Sequence, residues 1–311
     1  MIIEDPVYGR WKVEEVLGEL IHSPPVQRLQ KIHPGGAAHL VHSAWNVTRF
    51  EHSVGVMLLI RRLGGSLEEQ IAGLLHDVSH TAFSHVVDIV VASPEEDFHD
   101  RFLETLIRQS EIPAILAKHN LHLDSILDRS RWSLLEQSIP DLCADRIDYT
   151  LRDRYHYDHM DPQSISWFLD QLIVSEEKIC LSSVKAGEWF AELYYREVID
   201  FFQHPLNVYA YEQLATTLRK ALDEGSLTLA DLFTDDETIL QKLRSHGSEE
   251  VQTLLNSIHP GVTVAQNHPR HHQGKLRWID PLIQWEGRPV RGSLLSERIR
   301  EMNEGVMQSY G

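Results

Sequence analysis

Apolar residues recur every three or four positions along most of the chain, which predicts helices joined by short polar turns. Lys12 to about His22 and Val26 to Ile32 carry the first such patterns, and Pro34-Gly35-Gly36 stops the second. Ala37 to Val47 shows no period and is expected to be irregular. From Thr48 to Arg62, Phe50, Val54, Met57, Leu58 and Ile60 keep helical spacing, and Gly64-Gly65 ends the segment. Ser66 with Glu69 is a capping-box pattern that starts a helix through Ile71, Leu74 and Leu75. Ser93-Pro94-Glu95-Glu96 repeats that signal ahead of His99 and Phe102.

Further helices are expected at Ile112 to Lys118, Leu121 to Leu127, Trp132 to Gln137, Pro140 to about Tyr155, Ala186 to Phe202 and Leu206 to Leu222. Gly225 reads as a stop, and Thr228 to Asp236 leads into a smaller helical region. β-tolerant residues cluster only at Leu172 to Val174 and Lys178 to Leu181, around Ser175-Glu176-Glu177, a candidate short β-hairpin. The expected fold class is therefore all-α, with at most that hairpin. No internal repeat or low-complexity linker interrupts the pattern, apart from the polar turn stretch from His268 to Gly274. His268, His271 and His272 with Arg270, Lys275 and Arg277 either meet an anion or a neighbouring subunit, or form a solvated loop.

The 311 residues, 42% of them hydrophobic, suffice for one large domain with an appended lobe. A formal charge of −17 argues against a broad footprint for duplex nucleic acid, so a small anionic substrate would need a metal or a few local arginines. Cys143 and Cys180 are the only cysteines and form no ligand-type pair, which fits a reducing cytoplasm and excludes a thiolate zinc cluster. The start lacks a basic region followed by an apolar one, and no stretch approaches the roughly 18 apolar residues of a membrane span. A soluble, unprocessed protein is expected.

The chemistry concentrates in Leu74-Leu75-His76-Asp77-Val78-Ser79-His80 and the following His85 and Asp88. Adjacent His76 and Asp77 diverge by about 100° on a helix, which suits neighbouring positions around an octahedral ion. Partners must come from other segments, and His52 and Asp145 each stand among polar residues on a separate expected helix. Two imidazoles and two carboxylates favour Mn, Fe, Ni, Co, Zn or Mg, with open positions for water and a phosphate oxygen. Arg146, Tyr149 and Asp153 share one helix face, while Asp148 and Arg152, spaced i and i+4, form either a structural salt bridge or substrate contacts.

Taken in order, Arg49-Phe50-Glu51-His52-Ser53, Leu74-Leu75-His76-Asp77, Phe83-Ser84-His85 and Asp145-Arg146-Ile147-Asp148-Tyr149 with Arg152-Asp153 resemble the HD-domain phosphohydrolase superfamily. The branch they resemble is that of deoxynucleoside triphosphate triphosphohydrolases, which Asp5-Pro6-Val7-Tyr8-Gly9 and Gln27-Arg28-Leu29 also match. The resemblance implies that His52, His76, Asp77 and Asp145 bind a divalent metal. It places His80, His85, Asp88 and His99 around the scissile phosphate, with His85 supplying or relaying a proton to the leaving oxygen. Arg49 would bind phosphate, and Arg146, Tyr149 and Asp153 would hold phosphates and the sugar. The sequence departs from the branch at Ser79 and Thr81-Ala82, at His33-Pro34, where Gln-Leu is usual, and around Gln203 to Tyr211, where a phosphate-contacting arginine is absent.

The organisation implied is a phosphohydrolase core over residues 1–182 and a C-terminal helical lobe over 183–311, with a homodimer or larger assembly expected. The leading reaction is hydrolysis of a (deoxy)nucleoside triphosphate to nucleoside and triphosphate. A phosphatase for nucleoside monophosphates or other small phosphoesters is the enzymatic alternative, and a non-catalytic nucleotide sensor is the alternative of another class. A cyclic-dinucleotide phosphodiesterase is disfavoured because no Gly-Tyr-Pro follows the His-Asp pair, and an alarmone hydrolase because no synthetase-like region is evident.

Overall fold

The computed structural model describes residues 1–93, 95–265 and 276–310. Pro94 of the expected helix start and His268, Arg270, His271, His272 and Lys275 of the basic stretch lie outside the described residues. The architecture is mostly helical and is built around the long antiparallel contact between Arg49–Arg62 and Leu67–Leu75. A complete capping box starts the first of these helices: Thr48 accepts from the Glu51 backbone, and the Glu51 carboxylate accepts from the Thr48 N–H at 2.8 Å. Ser66 caps the second helix, but Glu69 does not close the box. Its carboxylate accepts the Leu134 N–H at 2.7 Å instead, tying a distant turn to this helix.

That contact explains one departure from the sequence pattern. Trp132 to Gln137, expected as a helix, is irregular chain around a single turn at residues 133–135. The Leu134 and Leu135 carbonyls accept the Ala144 and Asp145 N–H groups at 2.7 and 3.2 Å. They thereby satisfy the first donors of the helix Ala144–Asp158, whose Cys143 cap offers no side-chain bond. Asp145 is thus fixed in the first turn of its helix by backbone bonds. The helix expected from Pro140 begins instead at Ala144.

The all-α expectation needs correction. The Leu172–Ser175 and Lys178–Leu181 hairpin forms as expected, but it is half of a four-stranded sheet with Leu282–Trp285 and Arg288–Arg291 in that order. Its strands run antiparallel, parallel and antiparallel, with Cys180 opposite Leu282. The second hairpin turns at Glu286 and Gly287, both at positive φ (47° and 84°), the conformation that tight hairpins require. A further hairpin, Ile2–Asp5 with Gly9–Lys12, occupies the start of the expected first helix, which begins only at Glu15. Short half-exposed strands of this kind carry a weak period-two signal, which explains their absence from the sequence reading.

One apolar core runs from Ile3 through Leu58 and Phe190 to Val306, joining both ends of the chain. A second packs Ala38, Phe83 and Val86 against Phe201, Leu214 and Leu240. Helix Val184–Arg196 continues into a π-helical turn, Glu197–Phe202, before Pro205–Asp223 begins with proline in its first turn. No helix among the described residues is long and apolar enough to cross a membrane.

Between the helices Arg49–Arg62 and Ala144–Asp158 lies a fully buried ion pair. Arg152 donates to both Asp148 oxygens at 2.9 and 3.1 Å, and its Nη2 lies 3.1 Å from Asp5. Gly55 leaves the space for it, because a Cβ there would stand 2.0 Å from both Arg152 Nη2 and Asp148 Oδ1. Gly55→Ala should therefore cost about 3 kcal/mol or more, the range for overpacking combined with disruption of a buried pair. Chemical denaturation tests this, and a loss under about 1 kcal/mol would refute the steric argument.

Candidate metal centre

Three helical segments bring His52, His76, Asp77 and Asp145 into one cluster. His52 sits in the first turns of Arg49–Arg62, His76 caps the C-terminus of Leu67–Leu75, and Asp145 is in the first turn of Ala144–Asp158. Donor atoms of His52, His76 and Asp77 all lie within 4.8 Å of one another. Asp145 Oδ1 lies 3.0 Å from His52 Nε2 and 3.8 Å from His76 Nε2.

Both imidazoles are oriented from behind. His52 Nδ1 donates to Asp148 Oδ2 at 2.8 Å, and His76 Nδ1 donates to the Gly73 carbonyl, a free helix-end acceptor, at 2.6 Å. Each ring therefore turns Nε2 into the cluster, the arrangement typical of metal-ligating histidines. His76 Nε2 is buried and has no hydrogen-bond partner. An orphaned imidazole nitrogen facing two carboxylates fits a divalent cation, and the mixed nitrogen and oxygen donors suit the ions expected from the sequence.

The charges are strongly coupled. Burial opposes protonation of His52, but Asp145 and Asp148 outweigh it and raise its pKa to about 10. Burial likewise opposes the charge on Asp77, and Arg49, then His76 and His52, hold its carboxyl well below the usual range. Arg49 Nη1 pairs directly with Asp77, while its Nε donates to Ser84 Oγ at 2.8 Å.

His80, His85 and His99 form a second group beside this cluster. His80 stacks on His99 with ring centroids 3.5 Å apart, and His85 meets both edge-on at 5.0 and 5.6 Å. Burial, then Arg49 and His99, push His80 well below its ordinary pKa, and burial and His85 bring His99 down to about 4. His80 Nε2 lies 3.4 Å from Asp77 Oδ1, so the two groups are contiguous. His85 is the most open of the three. Its Nδ1 donates to Asp88 Oδ2 at 2.9 Å, and Asp88 Oδ1 accepts the Phe98 N–H at 3.1 Å. A carboxylate thus orients His85 and leaves Nε2 free for proton transfer.

The proposed substrate face is less uniform. Arg146 turns to the Asp141 and Gln137 carbonyls. Tyr149 lies 5.9 Å from Phe202 and 6.4 Å from Tyr194, ring to ring, and burial followed by Tyr194 raises its phenol well above the ordinary value. Asp153 is buried, and burial pushes its carboxyl up to about 7. Neighbouring Glu197, which accepts from Arg154 Nε at 2.6 Å, is also raised, by burial and then by Asp153.

Two supports escaped the sequence reading. Arg28 donates to the Val78, His80, Phe233 and Thr234 carbonyls at 2.7 to 3.2 Å, bracing the turn after His76-Asp77. Buried Asp236 accepts the Phe83 N–H at 2.7 Å and the His33 N–H at 3.1 Å, and contacts His33 Nδ1 at 2.8 Å. It holds a turn in which Phe83 and Ser84 adopt φ of 58° and 52°, conformations that non-glycine residues keep only under restraint. Gln27-Arg28-Leu29 was a visible motif, but nothing local to Asp236 marked it.

The HD domain family matches residues 49–153, the span that holds every cluster residue. A Bacillus subtilis protein, uncharacterized protein YdhJ, is 51% identical over 99% of this chain and 96% of its own length. Metal-dependent phosphohydrolase cns2 of Cordyceps militaris is 30% identical over 90% of the chain and 84% of its own. Deoxynucleoside triphosphate triphosphohydrolase SAMHD1 of Danio rerio is 26% identical over 95% of the chain and 61% of its own. The chain belongs to the HD-domain phosphohydrolase superfamily, in the branch similar to deoxynucleoside triphosphate triphosphohydrolases.

A carboxyl whose folded pKa lies above its unfolded value of about 4 stabilises the fold fully below that value and loses this contribution as pH rises through the folded pKa. For Asp153 the loss runs from about pH 4 and is complete once pH passes about 7. Asp153→Asn has no proton to lose there, so its stability relative to the parent should improve between about pH 4 and 7 and level off above. Urea midpoints across that range test this, and parallel curves for the two proteins would contradict it.

Proposed function

We propose that the chain is a divalent-metal-dependent phosphohydrolase acting on nucleotides, with a (deoxy)nucleoside triphosphate split to nucleoside and triphosphate as the leading reaction. The carrying observation is the convergence of His52, His76, Asp77 and Asp145 beside an Asp88-oriented His85. The relatives' designations support the same chemistry. In this reading residues 1–182 supply the catalytic groups, residues 183–311 form the lobe packed on them, and the protein works as a homo-oligomer.

His52, His76, Asp77 and Asp145 would hold the ion. When bound, a divalent ion supplies an activated water at neutral pH and neutralises charge on a phosphoryl oxygen. Asp148 and the Gly73 carbonyl keep the two imidazoles aimed at it. Arg49 keeps Asp77 ionised and adds positive charge where the phosphoryl group develops negative charge. His80, kept neutral by burial, offers a hydrogen bond to a phosphate oxygen, and His99 holds its ring in place by stacking. His85, steadied by Asp88, gives its Nε2 proton to the leaving oxygen.

Nucleoside mono- and triphosphates and small phosphoesters, each supplied with Mn, Mg, Fe, Ni, Co or Zn, form the direct screen, with nucleoside and triphosphate as the expected products. His76→Ala and Asp77→Ala should lose both bound metal and turnover. His85→Ala should keep the metal and lower kcat by roughly 10²- to 10⁴-fold, the usual share of a general acid. Absence of product with every ion, together with unchanged metal content in the His76 and Asp77 variants, would sink the reading.

A further inference from the structure

The cations that face the cluster from its own helices are already engaged. Arg49 pairs with Asp77 and donates to Ser84, and Arg146 turns to the Gln137 and Asp141 carbonyls. A substrate with several phosphates still needs positive charge beyond the metal, in a protein of formal charge −17. Arg277 comes from a part of the chain far removed from the HD motifs. Its guanidinium carbon lies 4.8 Å over the Phe202 ring, and its Nη2 lies 3.3 Å from Glu96.

These two partners belong to separate segments, one packed on Tyr149 and the other following Asp88. Phe202 packs edge-on against Tyr149, one helical turn beyond Asp145. Glu96 stands in the turn after Asp88, where the Asp88 carbonyl accepts the Ser93 N–H at 2.8 Å and Asp88 Oδ1 accepts the Phe98 N–H. Arg277 therefore links the segment packed on Tyr149 to the loop between Asp88 and His99. The backbone just beyond it is fixed, since the Ile279 N–H donates to Tyr195 Oη at 3.3 Å and the Asp280 N–H to the Pro140 carbonyl at 3.0 Å.

The Arg277–Glu96 pair is only partly buried, with side chains 31% and 22% exposed. A single-contact pair of this kind is readily exchanged, whereas a guanidinium fork binds phosphate oxygens through two parallel bonds. We propose that Arg277 is a substrate-binding residue of this active site that takes the outer phosphates of the nucleotide in exchange for Glu96. Glu96 is its resting partner and a built-in competitor of the anion. This assignment rests on the phosphohydrolase reading for the identity of its ligand.

Calorimetric titration with inorganic triphosphate separates the two ideas, because it reads binding without turnover. Arg277→Ala should weaken triphosphate binding by about ten- to a hundredfold, the range for a charge-assisted contact. Arg277→Lys should fall between it and the parent, because it keeps the charge and loses the fork. Glu96→Gln should bind more tightly than the parent, a gain that a merely structural ion pair would not give. Circular dichroism and melting temperatures verify that each variant is folded. Parent-like affinity in Arg277→Ala, or no uptake of triphosphate by the parent, would overturn the assignment. Arg277-dependent triphosphate binding without hydrolysis of any nucleotide would instead overturn the functional reading and leave the anion site standing.

Discussion

The buried chain of charges from Asp5 through Arg152 and Asp148 to His52 is the constraint on which the centre depends. Each link is short and excluded from water, so removing one member leaves the next uncompensated in a medium where isolated charge is costly. Asp148 serves at once as the counter-ion of Arg152 and the orienting acceptor of His52. The N-terminal hairpin, the helix Arg49–Arg62 and the helix Ala144–Asp158 are thereby locked in one register, and Nε2 of His52 points inward as a result. Fold stability and ligand geometry share these atoms.

Around this axis the centre divides into a highly charged half and a neutral half. Asp77 and Asp145 hold their negative charge because Arg49 and the two imidazoles face them at close range, and the carboxylates Asp145 and Asp148 in turn draw a proton, or a metal ion in its place, to His52. His80 and His99, a few ångströms away, are held neutral by the same burial and by neighbouring cations and imidazoles. One pocket can therefore hold a cation on one side and offer uncharged imidazole nitrogens on the other. That asymmetry is what metal-assisted phosphoryl transfer requires, because the attacking and leaving oxygens need opposite treatment.

Much of the helical scaffold was legible because its signals are local. Thr48 and Glu51 form their capping box, Ile112–Lys118 has the expected bounds, and Gly225 stops its helix at φ 77°. The sheet was only half visible: Lys178–Leu181 and Leu282–Trp285 pair across about a hundred residues, a relation no short window contains. The motifs pointed to His52, His76, Asp77 and Asp145 before any geometry, and the structure places them together. What the motifs could not show is which polar side chains hold the scaffold itself. Glu69 looked like the second half of a capping box and braces Leu134 instead, Arg146 was expected among the phosphate contacts and turns to carbonyls, and Asp236 lay in an unremarkable stretch. Each of these roles is set by a partner remote in sequence.

Arg28 joins carbonyls at Val78 and His80 to carbonyls at Phe233 and Thr234, about 155 positions further along the chain. On a ribosome the motif-bearing segment emerges long before the residues that complete its brace. Long-range closures of this kind come late in folding, after the loop entropy between their ends has been overcome. The histidine-rich turn therefore reaches its final rigidity only when most of the polypeptide has been made. Until then, the nascent chain carries the ligands without the frame that spaces them.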